Sequence, residues 1–512
     1  MLFLRAAPVV RIEGSSWNMR VYRQVRRLSA KTNGETRSST SQKFREVVAL
    51  CKRRGFVFPG SDIYGGFANS FDYGPLGVEL KRNIEQAWWK KFVVERPECH
   101  GLESSVILSP KVWQASGHVQ NFVDPLVECE GCEKRFRADK LVEEKGFNGE
   151  AMSLDELSTV LEETKNEPCP CGKMKSCSWG KPKQFNLLLN TNIGPVESDA
   201  SRSYLRPETA QGAYINFRNV FSTMRQPLPF GIGQIGKSFR NEISPGNFIF
   251  RTREFDQMEL QWFCSEESAE EWYSHWILAC KEFLKDKLGL RNDSIRIRNH
   301  AADELAHYAR ATSDIEFNFP SIGWGELWGI ANRGIHDLTM HSKASNEELV
   351  HDLGNSNSKV TPVVIEPAVG VNRLILAILC DAYEVENIVS ANGKSNPRTV
   401  LRLKRDLAPF TVAVFPLSAK DDAQMTICND IHNLVIEWGS STIDTKGKIG
   451  KRYRRHDEIG TPYCVTADFE SSADGCVTVR DRDTMNQVRI PLSVFVSKKT
   501  LFEAIDAGFS KL

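Results

Sequence analysis

Residues 238–263 read SFRNEISPGNFIFRTREFDQMELQWF, setting Arg240, Glu242, Arg251, Arg253, Glu254 and Glu259 among aromatic and aliphatic neighbours. Arginine carries a planar, permanently charged fork that binds phosphate oxygens two at a time, so phosphate handling is the chemistry these residue types suit. Phe248, Phe250, Phe255, Met258, Leu260, Trp262 and Phe263 have the β-forming character of strands, and Ser244-Pro245-Gly246-Asn247 signals a turn between two arms. The pattern predicts a long antiparallel hairpin with guanidinium groups projecting from a sheet. On charge and turn alone, a hairpin whose charges simply face solvent fits as well.

A second stretch, Glu366-Pro367-Ala368-Val369-Gly370-Val371-Asn372-Arg373-Leu374, runs into an apolar segment ending at Leu379. It reads as a strand passing through a glycine into a helix with an arginine in its first turn. Glycine lets backbone approach a ligand closely, and a helix start favours anions. Phe239-Arg240-Asn241-Glu242 with its later arginine resembles motif 2 of the class II aminoacyl-tRNA synthetases, and the 366–374 stretch resembles their motif 3. Further phrases narrow the resemblance to the homodimeric bacterial and organellar glycyl-tRNA synthetases: RRGFVFPGSDIYGG (53–66), DYGPLGVEL (72–80), LRPETAQG (205–212), GWGELWGIA (323–331), GKRYRRHDEIGTP (450–462) and TVRDRDTMNQVR (478–489).

The resemblance implies an α+β fold: a class II catalytic domain, an antiparallel sheet flanked by helices, over about 41–406, with a C-terminal α/β anticodon-binding domain over 407–512. It implies glycine activation by ATP with Mg²⁺, then transfer to tRNA(Gly). Arg240 and Arg373 would be catalytic, Arg240 on the α-phosphate and Arg251 and Arg373 on the outer phosphates. The ATP site would comprise Arg240, Asn241, Glu242, Phe250, Arg251, Thr252, Arg253, Glu254, Phe255 (under adenine), Glu326, Leu327, Gly370, Val371, Asn372 and Arg373, with Glu326 as magnesium ligand. Glycine would meet Arg137, Glu208, Phe255, Asp256, Gln257, Met258, Glu259, Glu366, Pro367, Ala368, Val369 and Gly370, with Glu208 the first choice for the ammonium. Glycine offers no side chain to grip, so carboxylates and exclusion of anything larger must do the selecting. Two departures from the family pattern stand out: Asn372 replaces the usual aspartate before the motif 3 arginine, and Arg333-Gly334-Ile335-His336-Asp337 differs from the commoner form and carries no site expectation. The rival readings are a synthetase for another amino acid and a non-catalytic, synthetase-like accessory subunit of mitochondrial DNA polymerase.

These motifs need elements to hold them. Glu79–Glu95 is predicted helical, with Leu80, Ile84, Trp88 and Phe92 on one face after the Gly74-Pro75-Leu76-Gly77 turn; in the family this region serves the dimer interface. An insertion at about 127–180 carries Cys129-x-x-Cys132 and Cys169-x-Cys171, with Cys177 nearby. Four thiolates suit structural zinc. The second pair is shorter than the Cys-x-x-Cys of bacterial relatives, and reduced surface thiols remain the alternative. Towards the C-terminus, a strand at 411–416, a helix at 420–438 and strands near 462–465 and 476–479 suggest an α/β unit, and the basic run Lys446–Arg455, with Tyr453 inside it, suggests RNA contact.

The net charge of +1 excludes a globally cationic nucleic-acid binder, so tRNA must meet local basic surfaces. No apolar run approaches the roughly 20 residues that span a bilayer. The scattered cysteines point to a reducing compartment. Residues 1–40 differ in kind: seven arginines face only Glu13 and Glu35, among many serines and threonines. That is the signature of a transit peptide, and mitochondrial import is expected, with plastid or dual targeting, or a shorter cytoplasmic product from Met19, as alternatives. A basic arm that touches tRNA is the other reading.

Overall fold

The computed structural model describes residues 40–510, apart from 68, 150–151, 164–166, 173, 197–200, 244–245, 307, 353–358, 390–392 and 394. The expected transit peptide therefore lies outside the described residues, save for residue 40, which begins a helix.

Seven strands build the central sheet: β1 (Cys99–Gly101), β2 (Phe230–Phe239), β3 (Glu254–Cys264), β4 (Ile295–Asn299), β5 (Ala311–Phe319), β6 (Gly323–Gly334) and β7 (Val363–Gly370). Their order is β4-β5-β6-β7-β3-β2-β1, antiparallel throughout except for the β1–β2 pair. Helices α1 (Pro75–Trp89), α2 (Ala210–Ile215), α3 (Ala269–Glu282), α4 (His336–Ser345) and α5 (Val371–Ala382) flank it. Leu80, Ile84 and Trp88 of α1, Trp276 and Cys280 of α3, and Leu374 to Leu379 of α5 share one core with Met258, Leu260 and Trp262 of β3. The stripe Leu80–Ile84–Trp88–Phe92 is thus consumed inside the chain. The helix begins at Pro75, earlier than predicted, because proline presets the first-turn φ, and it closes through a π turn at Lys90–Val94.

The predicted hairpin exists as β2 and β3, paired from Phe230–Phe263 to Phe239–Glu254. Its connection is a broad loop, however. Asn247 and Phe248 adopt left-handed backbone (φ 57° and 58°), Phe248–Phe250 forms a 3₁₀ turn, and Phe248 and Ile249 are buried. Burying those side chains pulls the chain out of the sheet, so Phe248 and Phe250 are not strand residues. Arg240, Glu242, Arg251 and Arg253 sit on this loop beyond the sheet's end.

The insertion holds a three-stranded sheet (Val123–Glu128, Arg135–Arg137, Lys183–Asn186) and two short helices around Val127, Ala138, Val142, Leu157 and Leu161. The C-terminal unit comprises β8 (Val412–Pro416), β9 (Ser441–Ile443), β10 (Tyr463–Ala467), β11 (Cys476–Asp481) and β12 (Gln487–Pro491), ordered β9-β8-β10-β11-β12. Helices α6 (Asp422–Ile436), α7 (Ile449–Glu458) and α8 (Lys498–Phe509) accompany this mixed sheet, which has its own apolar core. Part of the basic run is structural. Buried Arg452 donates to the carbonyls of Pro416, Thr445 and Gly447, Arg455 binds Asp444, and Tyr453 packs on Phe415 with its hydroxyl on Thr466 and Arg480 over its ring. Base stacking by Tyr453 is not what this geometry offers; Lys446, Lys448 and Lys451 remain on the outer surface.

Candidate active site

A cavity of about 350 Å³ opens where the 240–253 loop meets β3, β5, β6 and β7. Strand pleating decides which predicted residues reach it. Successive strand side chains point to opposite faces, so Phe255, Gln257 and Glu259 of β3 and Glu366, Ala368 and Gly370 of β7 line the cavity. Asp256, Met258, Pro367 and Val369 alternate with them and fall outside the lining. Met258 and Val369 belong to the core behind the sheet, and Asp256 pairs with Lys81 at 2.9 Å. Of the contiguous runs expected at the glycine site, every second member therefore lies outside the cavity lining. On β6, Leu327 is the extra residue of a bulge: Trp328 faces Ile315 and Glu326 faces Glu316. The bulge lets both Glu326 and Leu327 line the cavity.

At the nucleotide end stand Arg240, Glu242, Phe250, Arg251, Thr252, Glu326, Asn372 and Arg373. Arg240 donates through Nε to the Pro207 carbonyl and lies 5.4 Å from the ring centres of both Phe122 and Phe255. Phe255, expected under adenine, thus packs against Arg240, whereas Arg373 covers Phe250 at 4.6 Å. Arg373 is oriented by the Glu326 carboxylate at 2.9 Å and by the Phe250 and Glu326 carbonyls. Asn372 takes no part in that. It accepts from the Tyr73 hydroxyl and donates to Thr252 Oγ1, so Arg373 is oriented by Glu326 and Phe250 instead of by its neighbour's side chain. Gly370 precedes α5, and a Cβ there would project into open space.

Five more of the expected residues lie outside this lining. Asn241 donates its backbone N–H to the Leu187 carbonyl, Arg253 lies over the Phe67 ring, and Glu254 pairs with Lys237. Val371 is buried in the core, and Arg137 pairs with Asp124 and Asp139 in the insertion.

The other end is a carboxylate cage. Glu208, Glu259 and Glu366 come together around a guanidinium that sequence reading left unassigned, Arg333, at the end of β6. Arg333 is 1% exposed, bound bidentately to Asp337 (2.8 and 2.9 Å) and to Glu366 at 3.1 Å, with Glu208 at 3.8 Å. Tyr308 stacks on it at 3.9 Å. Glu208 also meets His118 Nε2 at 3.4 Å and accepts from Gln211; His118 Nδ1 in turn faces Ser116. Burial alone would raise the Glu208 carboxyl, but His118 and then Arg333 hold it well below the usual range. Glu366 accepts from Gln261 and Tyr214 as well. Glu259 differs: its Oε2 is buried with no hydrogen-bond partner. Burial, then the charges of Glu366 and Glu208, push its pKa up to about 8. An uncompensated buried carboxyl facing a cavity is a ready seat for a cation.

The family model described as the class II tRNA synthetase core domain (G, H, P, S and T) matches residues 195–382, and that of an anticodon binding domain matches 411–499. Glycine–tRNA ligase of Geobacillus kaustophilus is 50% identical over 466 residues, covering 89% of this chain and 99% of that protein. The Mesoplasma florum enzyme is 50% identical over 453 residues, covering 87% and 97%. This chain belongs to the glycine–tRNA ligase family. Prolyl-tRNA synthetase of Cryptosporidium parvum, solved with halofuginone and AMPPNP, shares the fold at a TM-score of 0.58 and 15% identity over 91% of this chain. The class II core and the C-terminal anticodon-binding domain expected from the sequence are both present, and the relatives are ligases, against the accessory-subunit reading. Four residues that the sequence reading did not assign stand in or against the cavity: Asp314 in its lining, and Arg333, Asp337 and His118 around the glutamate cage. Their signal was faint: an Arg–Asp spacing of four residues across a strand–helix junction, and a lone histidine after a glycine.

Proposed function

We propose that the cavity forms glycyl-adenylate from ATP and glycine and hands glycine to the 3′ end of tRNA(Gly). The observation that carries this is the juxtaposition of a cationic end, Arg240, Arg251 and Arg373, with a carboxylate cage whose Glu259 Oε2 lacks a partner. The glycine carboxylate attacks the α-phosphate, the bond to the β-phosphate oxygen breaks, and pyrophosphate leaves. In-line displacement needs positioning and charge stabilisation, which the arginine forks supply. Glu259 holds the ammonium, taking the role first given to Glu208, because Glu208 already has His118 and Gln211 as partners. Arg333, clamped by Asp337 and covered by Tyr308, fixes Glu366 and closes the space a side chain would need.

Glu326 and Asp314 fit magnesium: both line the cavity, and burial and then the charge of Glu326 raise Asp314 to about 6. Bound there, the ion would neutralise phosphate charge. Exposed Ile63 (89%) and Tyr64 (87%) support a homodimer, since the α1 stripe is spent internally. The arginine-rich, acid-poor start supports mitochondrial import.

Arg240→Ala tests the assignment. It should lower glycine-dependent ATP–pyrophosphate exchange by about 10²–10³ with folding unchanged, the effect of removing one well-aimed donor. Near-normal exchange would remove Arg240 from the reaction.

A further inference from the structure

The insertion gathers five cysteines rather than four, and the sequence pairs do not identify the set that closes. Cys169 Sγ lies 3.6 Å from Cys132 Sγ and 3.7 Å from Cys129 Sγ. A tetrahedron of sulfurs around zinc, with Zn–S near 2.3 Å, has edges of about 3.8 Å. Two edges of such a tetrahedron are therefore already in place, and the fourth corner falls to Cys171 or Cys177. The sulfurs of Cys129, Cys169 and Cys177 lie within 4.8 Å of one another, as do those of Cys132, Cys169 and Cys171.

Backbone structure separates the two. The segment carrying Cys177 is laced to the Cys129 knuckle: Glu130 N–H donates to the Ser178 carbonyl, Gly180 N–H donates to the Glu128 carbonyl, and Cys129 and Trp179 form a β-bridge. Cys177 N–H donates to the Glu167 carbonyl, which ties it to the approach of Cys169. Cys177 is buried, as are Cys129 and Cys169, and the Trp179 indole packs beside them. Cys171 instead occupies the turn closed by Gly172 N–H on the Cys169 carbonyl, and is only partly buried.

We infer that this chain holds structural zinc through Cys129, Cys132, Cys169 and Cys177, with Cys171 outside the coordination shell. The shortened Cys169-x-Cys171 pair no longer supplies the fourth thiolate, and Cys177 does so from a strand-like segment hydrogen-bonded to the first knuckle. Four thiolates suit zinc, and the buried, closed arrangement suits a structural ion, not a catalytic one. The ion would fasten the two ends of the insertion, since Cys129–Cys132 and Cys169–Cys177 flank its two helices.

The test uses the full chain purified without added metal. Elemental analysis should find about one zinc per chain in the wild type and in Cys171→Ser. Cys177→Ser should release zinc to a chromophoric chelator at least about tenfold more readily, because even supporting groups around a bound metal are worth 10–100-fold in affinity. Cobalt substitution gives a second reading: Cys171→Ser should keep the wild-type four-thiolate charge-transfer and ligand-field bands. That spectrum decides the matter even where Cys177→Ser fails to fold. A metal-free wild type, loss of the bands or of zinc in Cys171→Ser, or undiminished retention in Cys177→Ser would each overturn the inference.

Discussion

At the scale of single residues, Glu259 is the member of the cage left to be satisfied by substrate. Its carboxyl, raised to about 8, must lose a proton to face an ammonium. As pH falls below that value the protonated form dominates, so kcat/KM for glycine should drop, approaching tenfold per pH unit between pH 7 and 6 and levelling above 8. Glu259→Gln should flatten that profile and raise the glycine KM by about 10- to 150-fold, the worth of a charge-assisted hydrogen bond of 1.5–3 kcal/mol. The ATP KM should hardly move, because Arg240, Arg251 and Arg373 lie at the other end. A profile unchanged by the substitution would return the ammonium to Glu208 or Glu366. Residue types and motif spacing made the arginines and the three glutamates legible in the sequence. Arg333 escaped because its importance is spatial: only folding sets it against Asp337, four residues on, and Glu366, far along the chain.

At the scale of elements, the site depends on how closely backbone segments approach. Gly77 lies in the first turns of α1, and a Cβ there would sit 1.9 Å from the Phe56 carbonyl oxygen, which backbone cannot vacate cheaply. That close approach seats the Val57–Pro59 and Phe71–Tyr73 hairpin on α1, and Tyr73 reaches Asn372 beside the motif 3 arginine. Gly77→Ala should therefore destabilise by about 1–3 kcal/mol, the usual cost of overpacking, seen as a lower urea midpoint at unchanged m-value. A midpoint equal to wild type would mean the contact relaxes freely. The β2–β3 hairpin was legible because long apolar strands leave a strong pattern. The 240–253 loop was not, since its course is set by burial of Phe248 and Ile249 against residues distant in sequence. Period-two alternation, applied strictly to 255–259 and 366–370, would have excluded Asp256, Met258, Pro367 and Val369 beforehand.

At the scale of the molecule, the catalytic and C-terminal units are joined by a buried charge cluster. Asp457 on α7 binds Arg398 of the Tyr383–Val389/Ser395–Leu401 hairpin at 2.8 Å and Arg480 of β11 at 2.9 Å, and its side chain is fully buried. Removing one partner from a buried pair costs about 3–5 kcal/mol. Asp457→Asn should accordingly separate the C-terminal unit's calorimetric transition from that of the catalytic unit, while adenylate formation persists; a single unshifted transition would show that the cluster does not couple the two units. The domain order itself was legible, because each unit carries its own motifs, whereas this joint is built from charged residues that look like solvated surface in sequence. The account as a whole turns on a pocket that takes glycine and nothing larger. ATP–pyrophosphate exchange measured with each amino acid in turn tests it most directly: glycine alone should support exchange, with alanine and serine near background, and comparable exchange with alanine, or none with glycine, would contradict it.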